Sequence, residues 1–401
     1  MIRELRFIIS SIIFSVLLSK IAFAEVYITD LLFRERFRLN TYDTIQRSLS
    51  KAMYDGTQLK GSFGKIYKIY DPYTEENVLI KISPLDDAKN WLNFYMESLG
   101  LNELEHPNLL KGYGSYLVNL DPISREVGIA HVMECLDADL YQSIVKHGPL
   151  KTSEIKKFLG PIVSALTYLA TNQLVHFDIK PENILVRYKK GSDQRIEKLF
   201  IGDFGGLRML TNKQSTVTQR EHGLIMTPKY APKEAFFKNH PQTSEKSTLI
   251  PKELNEKADV WSLGALLYVL SQHEHLIESG SSQPQIQLRD MKKKLVKKFS
   301  REDGGYLWRK EQIDRLDYGL FCLIDKMLRF NPEDRISMQE VDASNFFETD
   351  KTETEQMPVS LENYFKAWPD LNPKSFERLL LKLGQKWDHR IKSRGGRLVE
   401  L

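Results

Sequence analysis

The sequence predicts an α+β fold in which a small strand-rich lobe precedes a larger helical lobe. Short apolar runs bounded by turn residues dominate the chain before about residue 136, and apolar residues at helical spacing dominate after Ile155. A chain of 401 residues, 41% of them hydrophobic, is long enough to bury a core in both lobes. We predict one domain over 52–348, with the boundary between the lobes near residue 136.

The first lobe begins with a predicted hairpin. Two strands, over 65–70 and 77–82, are separated by the turn residues at 71–72. A helix over 88–104 follows, and a further strand is predicted over 128–133. Together these elements indicate a small sheet with one accompanying helix.

The second lobe is predicted to begin with a helix after Ile155. One face of that helix is expected to carry five apolar residues, namely Phe158, Ile162, Ala165, Leu166 and Leu169. The polar stretch 236–256 is predicted to be a surface insertion. Residues 349–401 are predicted to form a helical extension with an apolar stripe, made of Phe376, Leu380, Leu383, Trp387 and Ile391. We favour packing of this stripe on the main domain over binding to a partner.

The first 24 residues have the layout of a secretory signal peptide. Arg3 and Arg6 precede an apolar run over 7–18, and small residues surround Ala24, after which we predict cleavage. An uncleaved anchor helix and a buried N-terminal helix are the alternatives. Residues 25–51 then form a polar lead-in. We therefore expect an exported protein, and no other segment is apolar enough to cross a membrane.

Charge and cysteine content limit the partners and the compartment. A formal charge of +4 does not imply a nucleic-acid partner. The basic segment 289–301 could dock on an acidic partner or an anionic membrane, but a solvated helix face is the favoured interpretation. Cys135 and Cys322 lie in apolar segments and are expected in the core, which excludes a disulfide scaffold. An exported monomer that ends in a reducing compartment, such as another cell's cytosol, fits these features.

Two features of the first lobe indicate phosphate chemistry. The turn over 60–66 contains Gly61 and Gly64, which let backbone amides approach phosphate oxygens closely. Lys81 lies in an otherwise apolar strand, where a buried ammonium needs an anionic partner. Glu97, on the predicted helix, is the natural candidate.

At this point the chain resembles the protein kinase family. The run His176-Phe177-Asp178-Ile179-Lys180-Pro181-Glu182-Asn183 has the Asp, Lys and Asn of the family's catalytic loop at the family's spacing. Asp203-Phe204-Gly205 follows at the expected distance. Three further matches are the substrate-seating segment Thr227 to Glu234, the helix segment Asp259 to Gly264, and Arg335 as the ion-pair partner of Glu234. The resemblance implies the bilobal protein-kinase-like fold.

The resemblance also implies catalytic roles for four residues. Lys81, oriented by Glu97, would hold the α- and β-phosphates of ATP. Asp178 would accept or steer the proton of the substrate hydroxyl. Lys180 would stabilise charge on the transferring phosphoryl group.

ATP and Mg²⁺ are the implied cofactors. Asn183 and Asp203 would bind the metal. The implied nucleotide-binding residues are Gly61, Ser62, Gly64, Ile66, Lys81, Met133, Glu134, Leu136, Asp139 and Leu185. Among these, Met133 would be the gatekeeper, Leu185 the floor of the adenine pocket, and Asp139 a ribose contact.

Three positions depart from the family's pattern. Leu59 replaces the first glycine of the phosphate loop and Leu79 replaces a small alanine, so both press on the nucleotide space. Phe177 stands where the family usually has an arginine that receives a phosphorylated activation loop. We therefore hypothesise activity without loop phosphorylation, although candidate acceptors remain at Thr211, Ser215, Thr216 and Thr218.

The sequence leaves three functions open. An active Ser/Thr protein kinase with a protein substrate is favoured, because Lys180 and Thr227 are typical of family members that act on Ser and Thr and not on Tyr. A pseudokinase acting as a nucleotide-binding or scaffold module draws support from the three departures. A small-molecule kinase generally lacks the segment from Thr227 to Glu234. For the exported enzyme we hypothesise a bacterial effector in a host cell, with a lumenal kinase of the secretory pathway as the alternative.

Overall fold

The computed structural model describes eleven stretches of the chain, which are residues 58–61, 64–71, 76–84, 91–121, 126–192, 194–210, 226–236, 254–277, 279–280, 289–295 and 317–347. They belong to two compact units. Within the described stretches, the first unit is made of 58–104 and 111–135, and the second of 105–110 and 136–347.

The first unit contains a five-stranded antiparallel sheet. Its strands are β1 (Gln58–Gly61), β2 (Gly64–Asp71), β3 (Glu76–Pro84), β4 (Gly112–Asp121) and β5 (Glu126–Glu134). Their order in the sheet is β1-β2-β3-β5-β4. The strands predicted over 65–70, 77–82 and 128–133 are thus confirmed as parts of β2, β3 and β5.

Alternation along β3 decides which face of this sheet is apolar. Val78, Ile80 and Ile82 are buried at every second position and pack with Tyr67, Ala130 and Val132. Because successive side chains of a strand point to opposite faces, Lys81 lies on the other face. The apolar run around Lys81 therefore places a single ammonium group on the side away from this cluster.

One helix, α1 (Trp91–Glu103), completes the first unit. It confirms the helix predicted over 88–104, apart from its first residues, since 85–90 lie outside the described stretches. Met96, Leu99 and Leu101 are buried, and α1 contacts β4 and β5. The helix thus packs on the sheet along its second half.

The second unit is mainly helical. Its helices are α2 (Leu140–His147), α3 (Thr152–Thr171), α4 (Lys233–Phe236), α5 (Lys257–Gln272), α6 (289–295), α7 (Tyr318–Met327) and α8 (Met338–Asp342). Its strands are β6 (Ala138–Asp139), β7 (Leu174–Val175), β8 (Ile184–Tyr188), β9 (Ile196–Ile201) and β10 (Arg208–Met209). They form one sheet in the order β6-β8-β9 and a pair of β7 with β10.

Helix α3 is more deeply buried than the sequence predicted. Phe158 is only half-buried, whereas every residue from Ile162 to Leu169 is buried. The single apolar face was too narrow a prediction, because α3 contacts α5, α8, β7 and β9 on several sides. A helix packed on several sides needs small and apolar residues all round.

Two other predictions concern the surface. The expectation that both cysteines lie in the core was wrong, since Cys135 and Cys322 are half-buried thiols. In α6, Met291 and Leu295 are buried while the side chains of 292–294 reach solvent, as the solvated-face interpretation expects. No helix in the described part of the chain has the length and apolar character needed to cross a bilayer.

Several predicted segments lie outside the described residues. These are the signal peptide 1–24, the lead-in 25–51, the loop with the four hydroxyl residues between 211 and 218, the greater part of the insertion 236–256, residues 296–301 of the basic segment, and the extension 349–401. They stay predictions.

Candidate active site

In the first unit, an ion pair joins β3 and α1. Lys81 Nζ lies 3.3 Å from Glu97 Oε1, and the two side chains are 15% and 3% exposed. The partner that the sequence predicted for the strand lysine is therefore the partner observed. A carboxylate buried this deeply is stabilised by the ammonium group beside it.

The two glycines close the β1–β2 ladder, and β2 pairs in turn with β3. Gly61 and Gly64 face each other as the last pair of the β1–β2 ladder, and Ile66 is the cross-strand partner of Lys81. Ser62 lies outside the described residues. The two glycines and the lysine that the sequence assigned to phosphate binding thus lie on neighbouring strands.

Met133 and Glu134 end β5. Met133 is buried and is the cross-strand partner of Leu79, while Glu134 is half-buried and is the partner of Val78. The structure therefore places Leu79, one of the departures from the family's pattern, directly beside the predicted gatekeeper. Leu79 is itself half-buried.

In the second unit, the predicted ribose contact lies beside the predicted adenine floor. Asp139 and Leu185 are cross-strand partners in the β6–β8 pair, and Leu136 is half-buried just before β6. Asp139 Oδ1 also accepts a hydrogen bond of 2.7 Å from the amide of Gln142 and so caps α2. Burial raises the pKa of Asp139, with the nearby Glu182 adding to the rise.

Asp178 is the most constrained side chain of the candidate site. Its Oδ1 accepts hydrogen bonds from the backbone amide of Thr227 at 3.0 Å and from the Thr227 hydroxyl at 2.7 Å. Its Oδ2 lies 2.7 Å from Lys180 Nζ and accepts from Asn183 Nδ2 at 3.0 Å. Lys180 Nζ also donates to Thr227 Oγ1 at 2.8 Å. The structure therefore brings together three residues that the sequence predicted, and adds Thr227.

The loop that carries Asp178 is fixed from below by Asp259 in α5. The amides of His176 and Phe177 donate to the two oxygens of Asp259 at 2.7 and 2.8 Å. Burial raises the pKa of this carboxyl, while the positive field of His176 and the two amides act in the opposite direction. The sequence placed Asp259 in a helix segment but gave it no role, because its partners are backbone atoms more than eighty residues earlier. Its position as a lone acid inside an apolar helix was the available signal.

The predicted metal ligands lie on two segments whose backbones are bonded to each other. The amide of Gly202, next to Asp203, donates to the Asn183 carbonyl at 2.9 Å. Asn183 Nδ2 donates to the backbone carbonyl oxygen of Asp178 at 2.7 Å. This orientation leaves the side-chain oxygen of Asn183 for a ligand. Asp203 is held at φ 60°, a left-handed conformation that aspartate tolerates better than most residues.

This donor set fits magnesium bound together with a nucleotide. One carboxylate and one carboxamide oxygen suit a hard cation that takes its remaining ligands from phosphates and water. Within the described residues, no group of three or more His, Cys, Asp and Glu side chains could hold a metal without such help. The residues therefore fit a metal that arrives with ATP.

Phe177 occupies an apolar cluster. The side chain is fully buried at φ 65° and packs in a cluster with Val175, Leu210, Met226, Ala231, Leu254 and Ala258. Arg208 on β10, the cross-strand partner of Val175, is buried and donates to the carbonyls of Gly205 and Leu207 at 3.0 and 2.8 Å. An apolar side chain thus fills the place of the family's phosphate-receiving arginine.

The segment after Thr227 is held by a buried ion pair. Arg335 donates through Nη1 and Nη2 to the two oxygens of Glu234, at 2.5 and 2.9 Å. The guanidinium also lies over the ring of Trp261 in α5, 4.9 Å from its centroid. The pairing that the resemblance implied is observed. A cavity of about 290 Å³ adjoins the segment and is lined by Tyr141, Glu182, Thr227, Pro228, Lys229, Tyr230, His275 and Met291.

Comparison with known proteins gives the family. The chain matches the protein kinase domain over residues 59–347, well over half of its length. It is 27% identical over 283 residues to calcium-dependent protein kinase 5 of Plasmodium berghei, covering 70% of this chain and 43% of that protein. It is 28% identical to the carbon catabolite-derepressing protein kinase of Candida glabrata, covering 73% of this chain and 41% of that protein.

A third relative is serine/threonine-protein kinase atg1 of Dictyostelium discoideum, 28% identical over 63% of this chain and 35% of that protein. The chain spans about half or less of the length of these curated relatives. The catalytic-loop geometry, the Glu234–Arg335 pair and the match over 59–347 lead to one conclusion. The chain belongs to the protein kinase family.

Proposed function

We propose that the chain is an active Ser/Thr protein kinase that transfers the γ-phosphoryl group of magnesium ATP to protein hydroxyls. One observation carries the proposal, namely that Lys180, Asn183 and Thr227 all bond to the Asp178 carboxylate. A carboxylate fixed in this way is arranged before any substrate arrives. Catalysis of phosphoryl transfer consists mainly of such positioning and of charge stabilisation.

Each side chain then has one task. The Asp178 carboxylate orients the attacking hydroxyl and takes up its proton. The ammonium group of Lys180, which contacts both Asp178 and Thr227, stabilises the charge that develops on the transferred group. In the first unit, Glu97 orients the ammonium group of Lys81 toward phosphate oxygens. Bound magnesium, held by Asn183 and Asp203, would neutralise phosphate charge.

The preference for Ser and Thr, and for protein substrates, is supported by two features. Lys180 and Thr227 are bonded to each other in the second unit, and the segment that follows Thr227 is anchored by Glu234. The names of the relatives from Candida glabrata and Dictyostelium discoideum describe protein kinases, the latter a serine/threonine kinase.

We further propose that turnover does not require phosphorylation of the activation loop. Phe177 is buried among apolar residues, and Arg208 donates to carbonyl groups inside the protein. An added phosphate would therefore lack the arginine that latches it in the family's usual arrangement. Replacing Thr211, Ser215, Thr216 and Thr218 together by Ala should keep the rate within about twofold, and loss of activity in a folded variant would refute this proposal.

We also propose that the protein is exported and that it acts inside a host cell. The sequence of residues 1–24 supports export. A bacterial effector would need a reducing final compartment, and two half-buried thiols are compatible with one. Mass spectrometry of the mature protein from the producing cells and their medium tests this. A chain that begins after Ala24 and lies outside the producer supports export, and an intact chain confined to the producer's cytosol contradicts it.

The competing pseudokinase function is favoured by Leu79, which lies beside Met133 in the sheet and could narrow the nucleotide space. Transfer of labelled phosphate from magnesium ATP, to dephosphorylated casein and to the protein itself, separates the two. Asp178→Asn and Asp203→Asn serve as controls. Transfer to Ser or Thr that both controls and EDTA abolish supports the kinase, whereas a signal equal to the controls supports the pseudokinase.

A further inference from the structure

A row of three side chains crosses the sheet of the first unit. Lys81 on β3 is the cross-strand partner of His131 on β5, and His131 is the partner of Ser115 on β4. Because directly opposed residues of antiparallel strands point to the same face, the three side chains share one face. The row spans about 10 Å, two strand spacings of the sheet.

A chain of hydrogen bonds runs from α1 into this row. Asn102 Nδ2 donates to Ser115 Oγ at 3.0 Å, and Ser115 Oγ lies 2.9 Å from His131 Nδ1. Asn102 Nδ2 also lies 2.9 Å from the carbonyl oxygen and 3.3 Å from the hydroxyl of Ser98, one turn earlier. Asn102, Ser115 and His131 are all buried, with Ser115 and His131 at 0% exposure. The Ser115 hydroxyl can accept from Asn102 and donate its own proton to the imidazole.

The helix is therefore attached to the row at both ends. At one end Glu97 pairs with Lys81, and at the other Asn102 bonds to Ser115. The two attachment points are five residues apart, about 7.5 Å along the helix axis. A single ion pair would let α1 pivot about Glu97, whereas two attachments fix its direction across the strands.

The packing of β4 against α1 points to the same conclusion independently. A Cβ placed on Gly112 would lie 2.7 Å from Asn102 Oδ1 and 2.8 Å from the Leu101 carbonyl oxygen. The end of α1 therefore packs so close to β4 that no side chain fits between them. This close approach is what lets the short Asn102 amide reach Ser115.

We propose that Asn102, Ser115 and His131 are positioning residues that hold α1 so that Glu97 keeps Lys81 in the orientation needed for phosphoryl transfer. This inference rests on the proposed kinase function. Burying a chain of polar side chains costs desolvation free energy that apolar side chains of the same size would avoid. Its hydrogen bonds, however, are directional and hold the helix in one register against the sheet. Because Glu97 and Asn102 lie on the same helix, fixing the helix end also fixes the orientation of Glu97.

The test measures kcat and KM for casein together in three variants. Asn102→Leu and His131→Leu should each lower kcat about tenfold, because loss of a buried hydrogen bond lets α1 leave its productive position most of the time. KM for casein should change less than about twofold, since the substrate segment belongs to the second unit. His131→Asn should keep at least half of the wild-type kcat, because its side chain offers a polar atom near the place of Nδ1.

Asn172 provides a matched control in the second unit. Like Asn102, it is 8% exposed, and its side-chain amide donates to the carbonyl oxygen of the residue four positions earlier. That acceptor is Tyr168, at 2.8 Å. Asn172→Leu should lower the melting temperature about as much as Asn102→Leu and leave kcat within about twofold. Equal losses of kcat in both variants, or an Asn102→Leu enzyme with wild-type kcat, would overturn the proposal.

Amide hydrogen exchange of residues 91–103 separates this proposal from the proposed function. Asn102→Leu should speed exchange in α1, and His131→Asn should not. If the wild-type protein shows no transfer above Asp178→Asn, the kinase function fails while the exchange result still decides the positioning role. Unchanged exchange in Asn102→Leu would refute that role.

Discussion

The two carboxylates of the proposed reaction are supported in different ways. Asp178 is bonded by three residues of its surroundings, and the backbone beneath it is bonded to the buried carboxylate of Asp259. Glu97 lies on a helix that packs on the sheet through buried apolar residues, and its polar contacts there join side chains, Glu97 with Lys81 and Asn102 with Ser115. The catalytic loop thus has its backbone bonded to one buried acid, whereas the polar contacts between the helix and the sheet join side chains.

This difference predicts two kinds of response to mutation. Where backbone groups are bonded to one buried acid, removing the acid disturbs the whole loop and should abolish turnover. Where a helix is docked by separate side-chain contacts, each removal should shift the population of productive helix positions by a limited amount. Variants of the two kinds of support should therefore differ in how far kcat falls.

Among the residues that support the two carboxylates, Asp259→Asn should have the largest effect. One of the two acceptors for the amides of His176 and Phe177 becomes an NH₂ group, so a donor faces a donor. The loss of two charge-assisted bonds should destabilise the productive conformation of the loop by about 3 to 5 kcal/mol. We therefore expect kcat to fall at least about a hundredfold. Steady-state kinetics with a melting curve check this. A kcat loss no larger than that of Asn102→Leu would remove the contrast.

Glu234→Gln should come next, and it acts on stability. The Glu234–Arg335 pair is buried, with side-chain exposures of 3% and 0%, so neutralising one partner leaves a buried guanidinium without its anion. We expect a loss of about 3 kcal/mol in the free energy of unfolding. Asp325→Asn is the matched control, because its pair with Arg329 is exposed at 34% and 46%. That control should cost under about 0.5 kcal/mol, and equal losses would contradict the account.

Thr227→Ala should have an intermediate effect. It removes the hydroxyl that bridges Asp178 Oδ1 and Lys180 Nζ, but it keeps the backbone amide that also bonds Asp178. The loss of these two bonds among several should lower kcat about tenfold, and Thr227→Ser should stay within about twofold. Kinetics of the two variants decide this. If Ser is as damaging as Ala, the hydroxyl is not the group that matters.

The smallest effect is expected from the two cysteines, one in each unit. Cys135 and Cys322 are half-buried thiols. Replacing each by Ser should change the free energy of unfolding by less than about 0.5 kcal/mol and leave kcat unchanged. Denaturant unfolding and kinetics measure both quantities. A loss of activity on mild oxidation that Cys135→Ser or Cys322→Ser prevents would show a role that the structure does not indicate.

Local pattern was enough to predict much of the first unit. The alternation of apolar residues around Lys81 predicted β3. Because a buried ammonium group needs an anionic partner, the sequence also predicted the pairing of Lys81 with Glu97. The catalytic loop followed from the spacing of Asp178, Lys180 and Asn183. These predictions succeed because the physical requirement and the residues that meet it are close in sequence or fixed by a known spacing.

The supports of the site could not be predicted in the same way. Asp259 bonds to backbone amides of residues far earlier in the chain, and the pairing of Ser115 with His131 depends on the register of β4 with β5. That register is shifted at Gly112/Gly114, where a bulge interrupts the ladder. Such contacts are set by tertiary packing, and a periodic pattern carries no signal for them.

The most direct test of the account compares the wild-type protein with Asp178→Asn in a single-turnover reaction, with magnesium ATP binding measured on both. The account predicts equal nucleotide affinity and a transfer rate lower by about a thousandfold in the variant, because the carboxylate that orients the hydroxyl and accepts its proton is lost. Equal transfer rates in the two proteins would contradict it, since Asp178 would then have no part in the reaction.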